Sequence, residues 1–190
     1  YRQRPDVHIV AVSDYQRRAL PEYLNVSVIH HGIAFDEFPF GEHATGHLLF
    51  LGRMLADKGP ASAIRIAQAV DMPLILAGPA EDGYDVAAEP GVDGERIRWV
   101  GRVGPAERNR LLAGAVALLF PLEYPEPFGL VLLEAMACGT PVLASELGAA
   151  PEIVEQGVTG FTASTWEELA ALVPTAAALD RGRVRRAAAE

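Results

Sequence analysis

The sequence predicts an α/β domain built on a doubly wound parallel sheet. Three observations carry this reading. Short β-rich runs alternate with helical patterns along nearly the whole chain. Several of those runs show no polar alternation: Leu48-Leu49-Phe50-Leu51, Leu74-Ile75-Leu76-Ala77 and Val116-Ala117-Leu118-Leu119-Phe120. Strands apolar on both faces belong in a parallel sheet covered by helices on both sides. Turn residues follow the runs directly, at Gly52, Gly78, Gly101 and Pro121. They fall at the carboxyl ends of the strands, where ligands of this fold sit.

The elements follow in order. A run at 8–13 leads into a helical pattern at 14–23 and a second run at 27–31. Residues 35–46 hold glycine, proline and acidic residues without a period, and read as a linker. Residues 1–34 are then expected to be the tail of a preceding N-terminal domain with its crossover, and 47–190 the main domain. Strands are expected at 47–53, 74–78, 96–101, 116–121 and 142–145. Helices are expected at 59–70, 105–115, 129–138, 150–156 and 166–173. Pro105 suits a first helical position. Gly139 is placed to close the helix before it. Thr165 and Glu168 form a capping box. Pro174 is expected to separate the last helix from the Ala-rich stretch 175–179. The chain lacks an initiating Met and stops at Glu190 inside a helical pattern without a cap. The expectation is a piece of a longer protein, truncated at its C-terminal end.

The chain has 190 residues, of which 50% are hydrophobic, ample for a core. No apolar stretch reaches a membrane span, and nothing at the start resembles a signal peptide. Peripheral association of a full-length protein with a membrane stays open. The net charge of −9 argues against a nucleic-acid partner. A nucleotide remains compatible, because a small anion needs only a few local cations. The single cysteine, Cys138, excludes an internal disulfide and fits a cytoplasmic location. Set in an apolar run, it reads as a small buried hydrophobe.

Candidate binding residues cluster where strands end. The strand at 47–53 runs into Gly52-Arg53-Met54-Leu55-Ala56-Asp57-Lys58-Gly59. Gly52 permits close backbone approach. Arg53 and Lys58 beside a helix start suit a diphosphate, by forked contacts, a point charge and free amides. They equally suit a solvated turn. Gly78-Pro79 and Gly101-Arg102-Val103-Gly104 end two further strands, as tight turns or as walls for a base bonded by backbone groups near Val103. The most informative stretch is Glu126-Pro127-Phe128-Gly129-Leu130-Val131-Leu132-Leu133-Glu134. Glu134 stands among apolar residues, and an ionised carboxylate is costly there unless hydrogen-bonded. Either this helix face is exposed or Glu134 has a polar partner, for instance a ligand hydroxyl. Helix side chains tilt toward the amino end, so Glu134 should point back toward Glu126. The amides of Phe128, Gly129 and Leu130 face the same region. Glu126 alone could simply favour the helix dipole.

The block from Glu126 to Val142, with its tail Ala135-Met136-Ala137-Cys138-Gly139-Thr140-Pro141-Val142, resembles the E-x7-E signature of family 4 glycosyltransferases. Gly52-Arg53 with Lys58, Gly78-Pro79, Gly101-Arg102-Val103, Pro151-Glu152-Ile153-Val154 and Gly157-Val158-Thr159-Gly160-Phe161 extend the likeness over nearly the whole chain. The resemblance implies the C-terminal, Rossmann-like half of a GT-B enzyme. It implies a retaining, metal-independent hexosyltransferase whose donor is a nucleotide sugar, with UDP expected from family frequency. Arg53 and Lys58 would hold the diphosphate and steady the leaving nucleotide. Glu126 would contact the transferred sugar, beside the amides of Phe128 and Gly129. Glu134 would accept from the ribose hydroxyls, and Val103 would face the base. Gly52, Gly78, Pro79, Arg102 and Leu130 complete the expected donor contacts. Arg53, Lys58 and Glu126 are the expected catalytic set. No cofactor or metal is implied, and the chain holds no Asp-x-Asp pair.

The sequence departs from the family at Val28-Ile29-His30-His31-Gly32-Ile33, where Pro-Asn-Gly is usual. His30 and His31 read as packing residues of an interdomain loop. The family's acceptor site and active-site histidine belong to the N-terminal domain, and neither His8, His43 nor His47 has a context that substitutes. The isolated chain is therefore expected to bind a donor and transfer nothing. Its acceptor is not legible. A non-catalytic nucleotide-sugar-binding or regulatory module remains the alternative. A nicotinamide-dependent oxidoreductase lacks support, since no strand leads into Gly-x-Gly-x-x-Gly.

Overall fold

A computed structural model describes residues 6–81 and 83–189. Residues 1–5 of the expected preceding-domain tail, and Glu190, lie outside the described residues. The chain runs β1 (His8–Ala11), α1 (Asp14–Arg18), β2 (Asn25–Val28), β3 (His47–Leu51), α2 (Pro60–Ala69), β4 (Leu74–Ala77), β5 (Ile97–Trp99) and α3 (Pro105–Gly114). It continues through β6 (Ala115–Phe120), α4 (Leu130–Ala137), β7 (Val142–Ser145), α5 (Ala150–Ile153), β8 (Gly160–Ala163), α6 (Trp166–Ala177) and α7 (Arg181–Ala187). β1 and β2 pair as a separate parallel ladder. The other six strands form one sheet in the order β5-β4-β3-β6-β7-β8, and every pairing is parallel.

The apolar strands have the environment their composition requires. One face of the sheet, with Leu49, Ile75, Leu118 and Val142, packs on Leu111 and Leu112 of α3, Leu132 and Met136 of α4, and Val184 of α7. The other, with Leu48, Leu76, Leu119 and Leu143, packs on Ile64 and Ile66 of α2 and on Leu169 and Val173 of α6. Side chains alternate along each strand, so both faces draw on the same short runs.

The local signals act as read. Pro60 and Pro105 open α2 and α3. The Thr165–Glu168 capping box opens α6, and both of its reciprocal bonds are present. Gly139, at φ +79°, closes α4 in a Schellman motif. Its amide donates to Met136 and that of Thr140 to Ala135. Cys138 is fully buried, and burial pushes its thiol up to about 11.

Several expectations are corrected. The second short strand lies at Asn25–Val28 rather than 27–31, and α1 stops at Arg18. β8 has no counterpart in the sequence reading. It is only four residues long and begins with Gly160, whose added Cβ would lie 2.0 Å from the Val142 oxygen. Glycine there marks close strand approach, not a turn. Pro174 does not end α6. Leu169, Ala170, Val173 and Ala176 all bury on one stripe, and that burial carries the helix past the missing amide donor. Near that end α7 opens on Asp180, whose carboxylate accepts from the Arg183 amide.

The stretch 35–46 is ordered and packed, with Phe38 buried in the core. It is tied down by α7. The Arg181 guanidinium donates to the carbonyls of Gly41, Ala113 and Ala115 and to the Thr140 hydroxyl. Arg185 adds bonds to the carbonyls of Phe38 and Ala137. These contacts gather the amino-terminal end of β6, the end of α4 and the 35–46 stretch into one polar clasp. Replacing Arg181 by Met keeps the apolar stem but leaves several carbonyls without a donor. We expect a loss of about 3 kcal/mol, since each orphaned buried acceptor costs about 1–3 kcal/mol, measured as a fall in the urea midpoint at unchanged slope.

Candidate functional site

In the observed strand order, the chain builds outward from β3 through β4 to β5, then returns to lay β6 on the other side of β3. The order reverses between β3 and β6, and loops leaving adjacent strands in opposite directions open a crevice at their carboxyl ends. The two most informative sequence stretches are those two loops.

The loop after β3 is set first against its β4 neighbour. The Gly52 amide donates to the Ala77 carbonyl at 3.0 Å, and that of Met54 to the Pro79 carbonyl at 2.8 Å. The glycine that permits this approach is Gly78 rather than Gly52. At φ +139°, an added Cβ on Gly78 would lie 1.8 Å from the Gly52 oxygen, whereas one on Gly52 would meet only the Phe50 ring at 3.8 Å. The Gly78 amide reaches the Gly101 carbonyl at 2.8 Å, and the Trp99 indole donates to the Gly78 carbonyl at 2.9 Å. The turns after β3, β4 and β5 thus form one connected rim. Arg53 is on it, 56% exposed, with its guanidinium 3.3 Å from the Glu81 carboxylate. Pro79 is half-buried, Arg102 is exposed, and Val103 packs against the core on the α3 and α4 side.

A 3-10 turn over Ala56–Lys58 ends at Gly59, in the left-handed region at φ +76°. An added Cβ on Gly59 would sit 1.9 Å from the Pro121 oxygen. The Glu123 amide donates to the Asp57 carbonyl at 2.9 Å, and the Ser62 hydroxyl to the Glu123 carboxylate at 3.1 Å. Backbone contact between the β3 and β6 loops therefore carries Lys58 to Glu126, and the ammonium donates to that carboxylate. Both side chains are partly buried, at 23% and 29% exposure.

Glu126 is held from behind by another glycine. Gly148, at φ +64°, lies so close that an added Cβ would be 2.2 Å from the Glu126 oxygen, and the Ala149 amide donates to that oxygen at 3.0 Å. Phe128 is buried, with the rings of His30 and His31 at 5.8 and 5.0 Å. Both histidines pack as expected. His30 also meets Glu152, which accepts from the amides of Asp14 and Tyr15. Gly129, at φ +95°, caps α4 with no side-chain bond, and Leu130 follows half-exposed.

Glu134 lies in the second turn of α4 at 18% exposure, so the helix face is not open to solvent. Its partner within the chain is Arg108 of α3, whose Nη1 is 3.1 Å from Oε1. Burial raises the Glu134 pKa above its ordinary value, and Arg108 pulls it partly back. A raised carboxyl pKa means that the folded chain binds this proton more readily than the unfolded one. The stabilisation from this group is complete below the ordinary value of 4.5 and lost as pH rises through the folded value. Above that folded value the ionised Glu134 is a cost to the fold. Sequence reading missed Arg108, although one signal was available. Arg108 shares a helical face with Leu111 and Leu112, which are buried, whereas Arg110 turns out to Glu107. Among the described residues, no group of three His, Cys, Asp or Glu side chains is placed to hold a metal ion.

Comparison with known proteins gives a consistent result. The family model described as "Glycosyl transferases group 1" matches residues 45–177. An alpha-maltose-1-phosphate synthase of Mycolicibacterium smegmatis is 36% identical over 122 residues, 59% of this chain and 31% of the relative. A D-inositol 3-phosphate glycosyltransferase of Mycobacterium sp. (strain KMS) is 32% identical over 155 residues, 71% of this chain and 35% of the relative. The chain spans less than half the length of these curated relatives. Among solved structures, Anabaena HepE in complex with UDP superposes with a TM-score of 0.80 at 23% identity, over 95% of this chain and 58% of that one. At that identity the likeness speaks for the fold, which is that of GT-B glycosyltransferases.

The backbone contact at Gly59 is directly testable. Gly59→Ala places a methyl group against the Pro121 carbonyl in a left-handed conformation, and should cost about 2 kcal/mol or more in urea unfolding. Lys58 should also separate from Glu126, seen as a lost coupling between Lys58→Ala and Glu126→Ala in a double-mutant cycle on the Gly59→Ala background.

Proposed function

The chain belongs to the group 1 glycosyl transferases, and on that premise we propose that it is the donor-binding half of a retaining, metal-independent hexosyltransferase. The donor is a nucleotide sugar, with UDP the favoured nucleotide. The acceptor is bound mainly by an N-terminal domain of which residues 1–34 would be the tail and crossover, with 35–46 as the linker to the donor domain. The single observation that supports this most directly is the meeting of the β3 and β6 loops at the switch point, with Lys58 against Glu126.

The proposed chemistry follows from the charges in that crevice. Arg53 leaves Glu81, and Lys58 leaves Glu126, to take the donor's diphosphate. The uncapped amides at the start of α4 add donors and a favourable dipole for the same anion. As the bond from the sugar to the diphosphate breaks, negative charge grows on the departing phosphate. Cations and amides already aimed there stabilise it without reorganisation. Glu126, released by Lys58, accepts from hydroxyls of the transferred sugar. Glu134 accepts from the ribose hydroxyls, one oxygen being taken by Arg108. Backbone groups near Val103 meet the base, and Gly52, Gly78, Pro79 and Arg102 form the adjoining rim. The isolated chain binds the donor without transferring the sugar. A cytoplasmic location fits its single cysteine.

A thermal-shift panel of UDP, GDP, ADP and NAD, each with and without added magnesium, tests the class. A response to a nucleoside diphosphate that needs no metal, with none to NAD, is expected. Calorimetry should then show Glu134→Ala and Arg53→Ala weakening the responding nucleotide about tenfold or more each, as expected for the loss of a charge-assisted hydrogen bond. Unchanged affinity in both variants would sink the site assignment. In the full-length protein, Lys58→Ala and Glu126→Ala should abolish transfer. Transfer undiminished in both would favour a non-catalytic binding module.

A further inference from the structure

We propose that Arg108 is a positioning residue for nucleotide recognition: it holds the Glu134 carboxylate by one oxygen and presents the other to the vicinal hydroxyls of a ribose. The inference rests on the reading of Glu134 given above, but its geometry is independent of that reading.

The contact is monodentate. Arg108 Nη1 meets Oε1 at 3.1 Å, and Oε2 has no bond to this guanidinium. A fork-to-fork pair would have consumed both carboxylate oxygens. Arg108 is itself fixed from other sides. Its Nε donates to the Asn109 side-chain oxygen at 3.1 Å, and its guanidinium lies over the Phe38 ring, 5.2 Å from the centroid. Asn109 in turn donates to the Glu37 carbonyl at 2.8 Å. Phe38 is buried, so the cation has a rigid floor. A carboxylate with one oxygen anchored and one presented is a suitable acceptor for two neighbouring hydroxyls, both of which must donate.

The same contact fixes the charge. A protonated Glu134 would offer a donor where the hydroxyls need acceptors. Burial pushes this carboxyl toward that form, and Arg108 opposes it. Among the described residues, no other element packed on α4 brings a cation into play for Glu134. From α7, Arg181 and Arg185 act on Cys138 at the far end of α4. β6 and β7 present apolar side chains. His30 and His31 meet Phe128, before the helix begins. Arg108 is thus the charge that holds Glu134 toward its ionised form.

The test separates this inference from the functional reading. Carboxylate titration by NMR on the unliganded chain, with Glu134→Gln to assign the signal, should show the Glu134 midpoint rising by about one unit or more in Arg108→Leu, and returning most of the way in Arg108→Lys. An unmoved midpoint overturns the inference, whether or not any nucleotide binds. Calorimetry with UDP or GDP, whichever binds the parent chain, should show Arg108→Leu weakening binding severalfold at the low-pH end of the chain's stable range and progressively less as pH rises, following the ionised fraction. The 2′,3′-dideoxy form of the same nucleotide should bind parent and variant alike. An equal loss for the dideoxy form at every pH means Arg108 serves the fold alone, and overturns the inference. If neither nucleotide binds the parent chain, the functional reading falls and the titration still decides the role of Arg108.

Discussion

The structure depends on the backbone-to-backbone approach of loops leaving adjacent parallel strands. At Gly59 the approach is to Pro121, at Gly78 to Gly52 and at Gly148 to Glu126, with each glycine at positive φ. A side chain at any of them would push apart two loops that the sheet has already placed side by side. The hydrophobic faces of the six strands fix where the loops begin, but they do not say how close the loops come. The glycines do, and the site inherits its geometry from that spacing. Lys58 reaches Glu126 because Gly59 touches Pro121. Glu126 stays in reach because Gly148 backs it.

Charge in the crevice is arranged in opposed pairs. Arg53 faces Glu81, Lys58 faces Glu126 and Arg108 faces Glu134. A chain with a net charge of −9 would otherwise repel an anion, and local cations are what offset this. The pairs differ in consequence. Arg53 is over half exposed, so its pair with Glu81 contributes little and breaks readily. Lys58 and Glu126 are partly buried, and separating them requires something that satisfies both. A ligand carrying an anion and hydroxyls next to each other meets that condition.

The fold was legible because its signals are short-range. Apolar runs, Pro at first helical positions, the Thr165 box and Gly139 each act within a few residues of themselves. What escaped was set by contacts between distant segments. β8 is a strand because it lies against β7, not because Gly160-Phe161-Thr162-Ala163 favours extension. α6 continues through Pro174 because four side chains on its stripe are buried elsewhere in the chain. The candidate site divides the same way. Arg53, Lys58, Glu126 and Glu134 could be picked out from their own neighbours in sequence. Arg108 offered only its place on the helical face of Leu111 and Leu112, since its meaning lies in a carboxylate twenty-six positions away on another helix. The apolar neighbourhood of Glu134 demanded a partner, and it had one within the chain.

The clasp built by Arg181 bears on where this unit can be cut. The stretch that matches the family model, residues 45–177, stops before α7 and begins after Gly41. Arg181 lies beyond one end of it, and the Gly41 carbonyl that Arg181 binds lies before the other. Excision at those limits would remove the donor and one of its acceptors together. The carbonyls of Ala113 and Ala115 and the Thr140 hydroxyl would then lose their shared guanidinium. The family resemblance and the folding unit therefore have different borders. The smallest piece that keeps this polar knot intact extends outward on both flanks, from Gly41 or earlier to the end of α7.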